Sequence, residues 1–319
     1  MKKLLACFIT CFMLSNFIIA QEEQHLPDTV KTGVYVTSIH NIDFQEKEYV
    51  INLWIWFKYK NKDFDFSKNL EIPQAKTFTQ SYLTIDTTGG RYYVLMKLQC
   101  VMKDSWEIQD FPFDRQTLRL SVENSQFDKE DLVFVADTVG KHFDPKFTIS
   151  SWNIDKFTID VKNKLYETAF GDESITEAHS EYSSFNLKIE IDREAMGLFW
   201  KMFLGMFVSF FIAYTCSFIH LDRIDSRFGL SVGALFAVIA NKYVVDSSLP
   251  ESVSFTMVDT LHDITLFFIL IIIVCTAYTL KLIVNGNTKR AVLFDKYVPH
   301  IILLVYIGLN IYFIKQATS

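Results

Sequence analysis

From Ala195 onward the sequence turns apolar in four segments, at about 195–219, 228–246, 260–284 and 297–314, and this most narrows what the chain can become. Each is close to the ~20 residues that a helix needs to cross a hydrocarbon layer. Charged and polar stretches part them: "HLDRIDSR" (220–227), "DSSLPES" (246–252) and "NGNTKR" (285–290). With the preceding part of the chain outside the cytoplasm, four crossings return the C-terminus to that side. Lys281, Lys289 and Arg290 then fall inside, as the positive-inside rule requires.

The second segment differs from the others. The first, third and fourth are rich in Phe, Leu and Ile, as lipid-facing helices should be. "GLSVGALFAVIAN" (229–241) instead repeats Gly229, Gly233, Ala234, Ala237 and Ala240 at three- and four-residue steps, with one bulky residue, Phe236, on nearly the same face. Small residues at such steps either let transmembrane helices approach closely or surround a cavity. The residues alone leave both readings open.

Before Arg193 the period is that of strands. "EYVINLWIWFKY" (48–59), "RYYVLMKLQCVM" (91–102), "QTLRLSVE" (116–123) and "FNLKIEI" (185–191) are rich in β-branched and aromatic residues. Breakers such as "TTGG" (87–90) and "FPFD" (111–114) divide them. Strands at this spacing predict a β-sandwich. Lys2 and Lys3 ahead of an apolar run to Ala20 read as a secretory leader. The expected division is therefore a signal peptide over 1–20, an exported sandwich over 21–193, and a four-helix membrane domain over 194–319.

Several chemistries find no support. Of the five cysteines, Cys100 alone falls in the exported part, which leaves it no intrachain disulfide partner. The seven histidines fall singly, away from metal-ligand spacing, and no nucleophile elbow or phosphate loop is present. A net charge of −6 with no basic run gives nucleic acid nothing to grip. Neither an enzyme nor a bound cofactor is expected.

Taken in order, these parts resemble the pentameric ligand-gated ion channels, the Cys-loop receptor superfamily, and its prokaryotic branch in particular. "DFPFDRQTLRL" (110–120) is similar to the Phe-Pro-Phe-Asp signature of the family's central loop, with Asp104 and Leu118 where the disulfide cysteines would stand. "EYVINLWIWFKY" looks like its second strand, and Arg193 resembles the arginine before its first membrane helix. "SRFGLSVGALF" through "SSLPESVSF" (226–255) resembles its pore helix and following turn. Gly205 stands where a proline is usual, and the long cytoplasmic insert of animal receptors is absent.

The resemblance implies an immunoglobulin-like β-sandwich above a four-helix transmembrane bundle, assembled as a homopentameric ring in the bacterial inner membrane. It implies a channel opened by a small-molecule or proton agonist, with membrane lipid and permeant cations as the other partners. Asp225, Gly229, Gly233, Phe236, Ala240, Tyr243 or Val244, and Ser247 would face the axis, with Phe236 as an apolar gate. Asp225 and Asp246 would form charged rings favouring cations, against the plainer reading of solvated helix-end charges. Trp54, Trp56, Glu123, Phe127 and Tyr182 would line an agonist site between subunits, with Glu177 a further carboxylate; alternation equally allows both tryptophans to be core. Glu46, Pro112, Phe113, Asp114, Arg193, Leu249 and Pro250 would couple the domains, with Arg193 paired to Asp114 and also reaching Glu46, and the central loop resting on the 248–252 turn. A non-conducting membrane-anchored sensor on the same scaffold is the alternative.

Overall fold

The chain's computed structural model describes residues 26–144, 146–171, 179–249 and 254–318. The expected leader, Glu177 and Pro250 lie outside these residues. Among the described residues nine strands form the N-terminal part: β1 (Asp28–Asp43), β2 (Glu48–Tyr59), β3 (Leu70–Glu71), β4 (Ala75–Thr88), β5 (Arg91–Lys103), β6 (Arg115–Asn124), β7 (Leu132–Ala136), β8 (Trp152–Tyr166) and β9 (Ser180–Arg193). They make a five-stranded sheet in the order β4-β5-β2-β1-β7 and a four-stranded sheet in the order β3-β6-β9-β8.

Period-two alternation explains the layering. Leu53, Ile55 and Phe57 of β2 are buried, as are Leu118, Leu120 and Val122 of β6 and Phe185, Leu187, Ile189 and Ile191 of β9. These rows meet in one apolar core between the sheets. The intervening residues, Trp54 and Trp56 among them, stand half-exposed on the opposite face of β2. Alternation thus puts both tryptophans outside the core. Trp56 lies flat over β1: a Cβ added to Gly33 would sit 2.3 Å from its ring, so only glycine admits the indole there.

Four helices follow: α1 (Ala195–Thr215, continued by a 3₁₀ turn to Phe218), α2 (Ile224–Asp246), α3 (Met257–Val284) and α4 (Thr288–Ala317). All are long and apolar enough to cross a membrane, so the chain is a multi-pass membrane protein with a strand-rich domain ahead of its helices. α1 packs on α2 and α3, and α4 on α3. Phe210 of α1 stacks on Tyr306 of α4 at 3.6 Å, and the Tyr306 hydroxyl meets Thr265 Oγ1 of α3 at 3.0 Å, tying three helices at one level.

Gly205 does not interrupt α1. It allows a close approach: a Cβ there would lie 3.3 Å from Asn241 Nδ2 on α2. The Asn241 side-chain amide in turn lies 3.0 Å from His262 Nε2 on α3, and His262 Nδ1 lies 2.8 Å from the Val258 carbonyl; a neutral ring donating from Nδ1 accepts the amide N–H at Nε2. Asn241 is therefore partnered inside the bundle, as a polar group in lipid must be.

Candidate functional site

α2 has two unlike faces. Arg227, Ser231, Ala234, Val238 and Val245 are buried, following one another at steps of three, four or seven, and pack against the chain's other helices. Asp225, Gly229, Gly233, Phe236, Ala240, Tyr243 and Ser247 all lie on exposed positions. Of Gly229, Gly233, Ala234, Ala237 and Ala240, only Ala234 sits in the packed face. A Cβ at Gly229 or Gly233 would meet nothing within 4 Å, so among the described residues no neighbour requires glycine at either place. Phe236 is 65% exposed, and Tyr243 and Val244 are exposed as well.

The inner end of α2 separates its charges. Arg227 is only 2% exposed. Its guanidinium forms a fork with Asp295 of α4, at 2.6 and 2.8 Å, and donates from Nε to the Ile219 carbonyl at 2.9 Å. Asp225, two residues earlier, stays exposed. The Arg227 charge is thus turned inward and answered, leaving Asp225 exposed in the first turn of α2, with Arg223 exposed at the N-cap before it. At the outer end Asp246 is not alone: Lys242 lies 3.7 Å from it and also pairs with Asp259, itself part of the capping box that starts α3 at Thr256.

The joint between sandwich and helices centres on Arg193. Its Nε and Nη2 donate to Asp114 Oδ1 and Oδ2 at 2.6 and 3.0 Å, with both side chains nearly buried. Gln116 Nε2 donates a further bond to Asp114 Oδ2 at 2.7 Å. Three rings enclose the guanidinium, Trp152 at 4.1 Å, Phe44 at 4.7 Å and Phe111 at 4.8 Å. Trp152 is buried in the sandwich core and also forms this floor.

Other joint residues stand differently from expectation. Glu46 does not reach Arg193; it is exposed, its N–H donates to Asp43 and its carbonyl accepts from Lys103. Aromatic rings occupy the remaining space around the guanidinium instead. The contact with the end of α2 comes from Gln45, whose Nε2 donates to the Ser247 carbonyl. Most of the 248–252 turn lies outside the described residues; among those described, the central loop reaches the membrane helices where the Met257 N–H donates to the Gln109 carbonyl at 2.7 Å and Phe113 packs on Phe199 of α1 at 5.6 Å. Pro112 lies between the enclosing Phe111, to which it is joined by a cis peptide bond, and Phe113. Leu249 is half-buried against the helix core. Gln45, Gln109 and Phe199 carry no signal in a single sequence.

The proposed agonist residues divide between the two sheets. On the five-stranded sheet, Trp54 meets Tyr82 edge to face at 5.3 Å with Lys97 over its ring, and the Trp56 indole N–H donates to Asp137 at 3.2 Å. On the four-stranded sheet, Tyr182 meets Tyr166 at 5.8 Å and Phe170 at 6.3 Å, and those two meet each other at 5.5 Å. The Tyr166 hydroxyl donates to Glu123 Oε2 at 2.8 Å. Glu123 is a buried carboxyl, only 3% exposed. Burial pushes its carboxyl above the ordinary glutamate range, against the opposing bond from Tyr166. Phe127 packs edge to face on Phe64 at 4.9 Å and half-faces the sandwich core instead of this cluster. Tyr166 and Phe170 are the members that sequence reading missed, although "LYETAFG" (165–171) carries both just before a glycine.

The raised Glu123 carboxyl has a consequence for stability. The folded chain holds this proton more tightly than the unfolded chain does. That contribution is complete below the unfolded value and is lost as pH rises through the folded one. Glu123→Gln should therefore flatten the fall in thermal stability from the ordinary glutamate value upward; an unchanged pH profile would assign that fall to another group.

Strand-rich domain, four membrane helices and a half-packed second helix together bear out the resemblance to the pentameric ligand-gated ion channels. No family model matches the chain. A proton-gated ion channel of Gloeobacter violaceus is 22% identical over 289 residues, which cover 83% of this chain and 76% of that protein.

Proposed function

We propose that the chain is a homopentameric ligand-gated ion channel of the bacterial inner membrane, selective for cations, with its sandwich and C-terminus outside the cytoplasm. The observation that carries this is the exposed face of α2, where Phe236 stands among small residues that nothing in the chain packs against. Five such faces around an axis give an apolar ring at mid-membrane that holds back water and ions until the helices tilt. The G. violaceus relative, named as a proton-gated channel, supports the same reading.

The agonist acts between subunits in this proposal. Trp54 and Trp56 on one sheet and Glu123, Tyr166, Phe170 and Tyr182 on the other do not meet within a chain, so a site using both needs two copies side by side. Aromatic faces around a carboxylate suit a cationic amine. The buried, raised Glu123 carboxyl also suits direct proton binding, since it gains and loses its proton closer to neutrality than an ordinary glutamate. Binding would tilt the sandwich, and the Gln45–Ser247 and Gln109–Met257 contacts would carry the movement to α2 and α3.

The test is ion flux into liposomes holding the purified protein as external pH is lowered. Cation uptake that rises with acid is the expected result. Asp225→Asn should lower the cation-to-anion permeability ratio by roughly tenfold if five carboxylates line the inner mouth. An unchanged ratio would remove Asp225 from the permeation path.

A further inference from the structure

The end of the five-stranded sheet that holds the Gly89-Gly90 turn carries a charge pattern that ion conduction does not use. Pairing of β1 with β2 sets Lys31 directly opposite Lys58. The period of two puts Lys60 on the same face. Pairing of Tyr59 with Tyr92 brings Arg91, the first residue after the turn, beside Lys60. Two like-charged cross-strand pairs thus stand one above the other, on a chain whose net charge is −6. Like charges placed directly opposite destabilise a sheet unless something answers them.

The first pair is answered. Asp137 is buried and takes Lys31 at 3.1 Å and Lys58 at 3.5 Å, while accepting the Trp56 indole. Burial alone would raise its carboxyl, but bonds from Trp56 and Lys31 outweigh that and hold it below the ordinary range. The second pair is not answered: both side chains are exposed, and among the described residues neither Lys60 nor Arg91 has an ion-pair partner. All four cations, with Asp28, line an open pocket of about 450 Å³. That volume lies within the range of small-molecule sites.

We infer that this pocket binds a small oxyanion ligand, a phosphate or a dicarboxylate, between the Lys60–Arg91 pair and the Lys31–Lys58 pair. The planar Arg91 fork matches two oxygens of such a group, and the lysines act as point charges around it. Asp137 holds Lys31 and Lys58 in place beforehand, so less side-chain freedom is lost on binding. The inference stands apart from the channel proposal, since it needs only the folded sandwich.

Purified full-length protein in detergent would be titrated with sodium phosphate and, separately, sodium succinate, with sodium chloride at matched ionic strength as the control. Binding heat and thermal unfolding would both be recorded. The expected result is saturable binding of at least one oxyanion, with stabilisation that chloride does not give. The preferred anion then assigns the class of ligand. Lys60→Gln together with Arg91→Gln should weaken that binding at least ~10-fold, since each removes a charge-assisted bond. Both positions are exposed, so the variants should fold and in chloride should unfold no earlier than the native chain, the double variant slightly later as the like-charge repulsion is relieved; Arg91→Gln alone provides a second variant. Equal effects of chloride and the oxyanions, or variants that bind as tightly as the native chain, would overturn the site.

Discussion

Phe236→Ala is expected to leak. In liposomes without agonist, the variant should pass cations at least ~10-fold faster than the native chain, because an apolar constriction that excludes water is removed. The fold should not suffer: Phe236 is 65% exposed in the chain and fills no internal cavity, so its truncation escapes the cost of a core deletion. Gly229 and Gly233 sharpen the expectation. With glycine at the axis-facing positions of the two turns before Phe236, nothing bulky on the inner side of that face would take over as a second barrier, and Tyr243 is the bulky residue left on its outer side. Phe236→Leu should stay closed at rest, since it keeps an apolar ring of nearly the same reach. A well-folded oligomer of Phe236→Ala with no leak would favour the non-conducting sensor, and the small residues of this face would then serve contacts between copies.

How much of this was readable beforehand depended on which physical signal each part carried. Buried strands announce themselves by period: "EYVINLWIWFKY" is β2 to the residue, and "FNLKIEI" is the centre of β9. β4 and β8 did not stand out, because one is exposed along nearly its whole length and the other carries many polar residues. The membrane helices were legible in kind, but most run past their apolar segments. α4 starts at Thr288, well before the apolar stretch at 297, because its first turns are charged and one of them supplies Asp295 to Arg227.

Single side chains were harder to place. Glu123 sits one step from Asn124 on a strand whose last residues are buried on both sides, so alternation gave no warning that it was inside. Trp54 and Trp56 were ambiguous because two tryptophans at a period of two fit either face; only the burial of Leu53, Ile55 and Phe57 decides between them. Arg193 and Asp114 were matched through resemblance, yet the three rings around them come from positions 44, 111 and 152, which no local pattern links.

That enclosure makes the arginine–aspartate pair the second large expected effect. Asp114→Asn leaves a guanidinium held by three aromatic faces with no opposite charge, and removing one partner of a buried pair costs about 3–5 kcal/mol. Thermal stability of the purified oligomer should fall accordingly. Arg193→Lys should fare little better: an ammonium cannot donate the fork that reaches both Asp114 oxygens, nor lie flat on Trp152. Replacing both partners, as in Asp114→Asn with Arg193→Met, should be milder than the sum of the singles, because no buried charge is left alone. The flux curve against pH separates a static bridge from a moving one. If the pair merely braces the joint, variants that still fold will open at the native pH with less protein surviving. If it shifts as the sandwich tilts, the activation curve itself will move and its maximum will fall. The second result is expected, because Asp114 shares its loop with Gln109 and Phe113, which touch α3 and α1, so a change in the pair's geometry is felt directly at both helices.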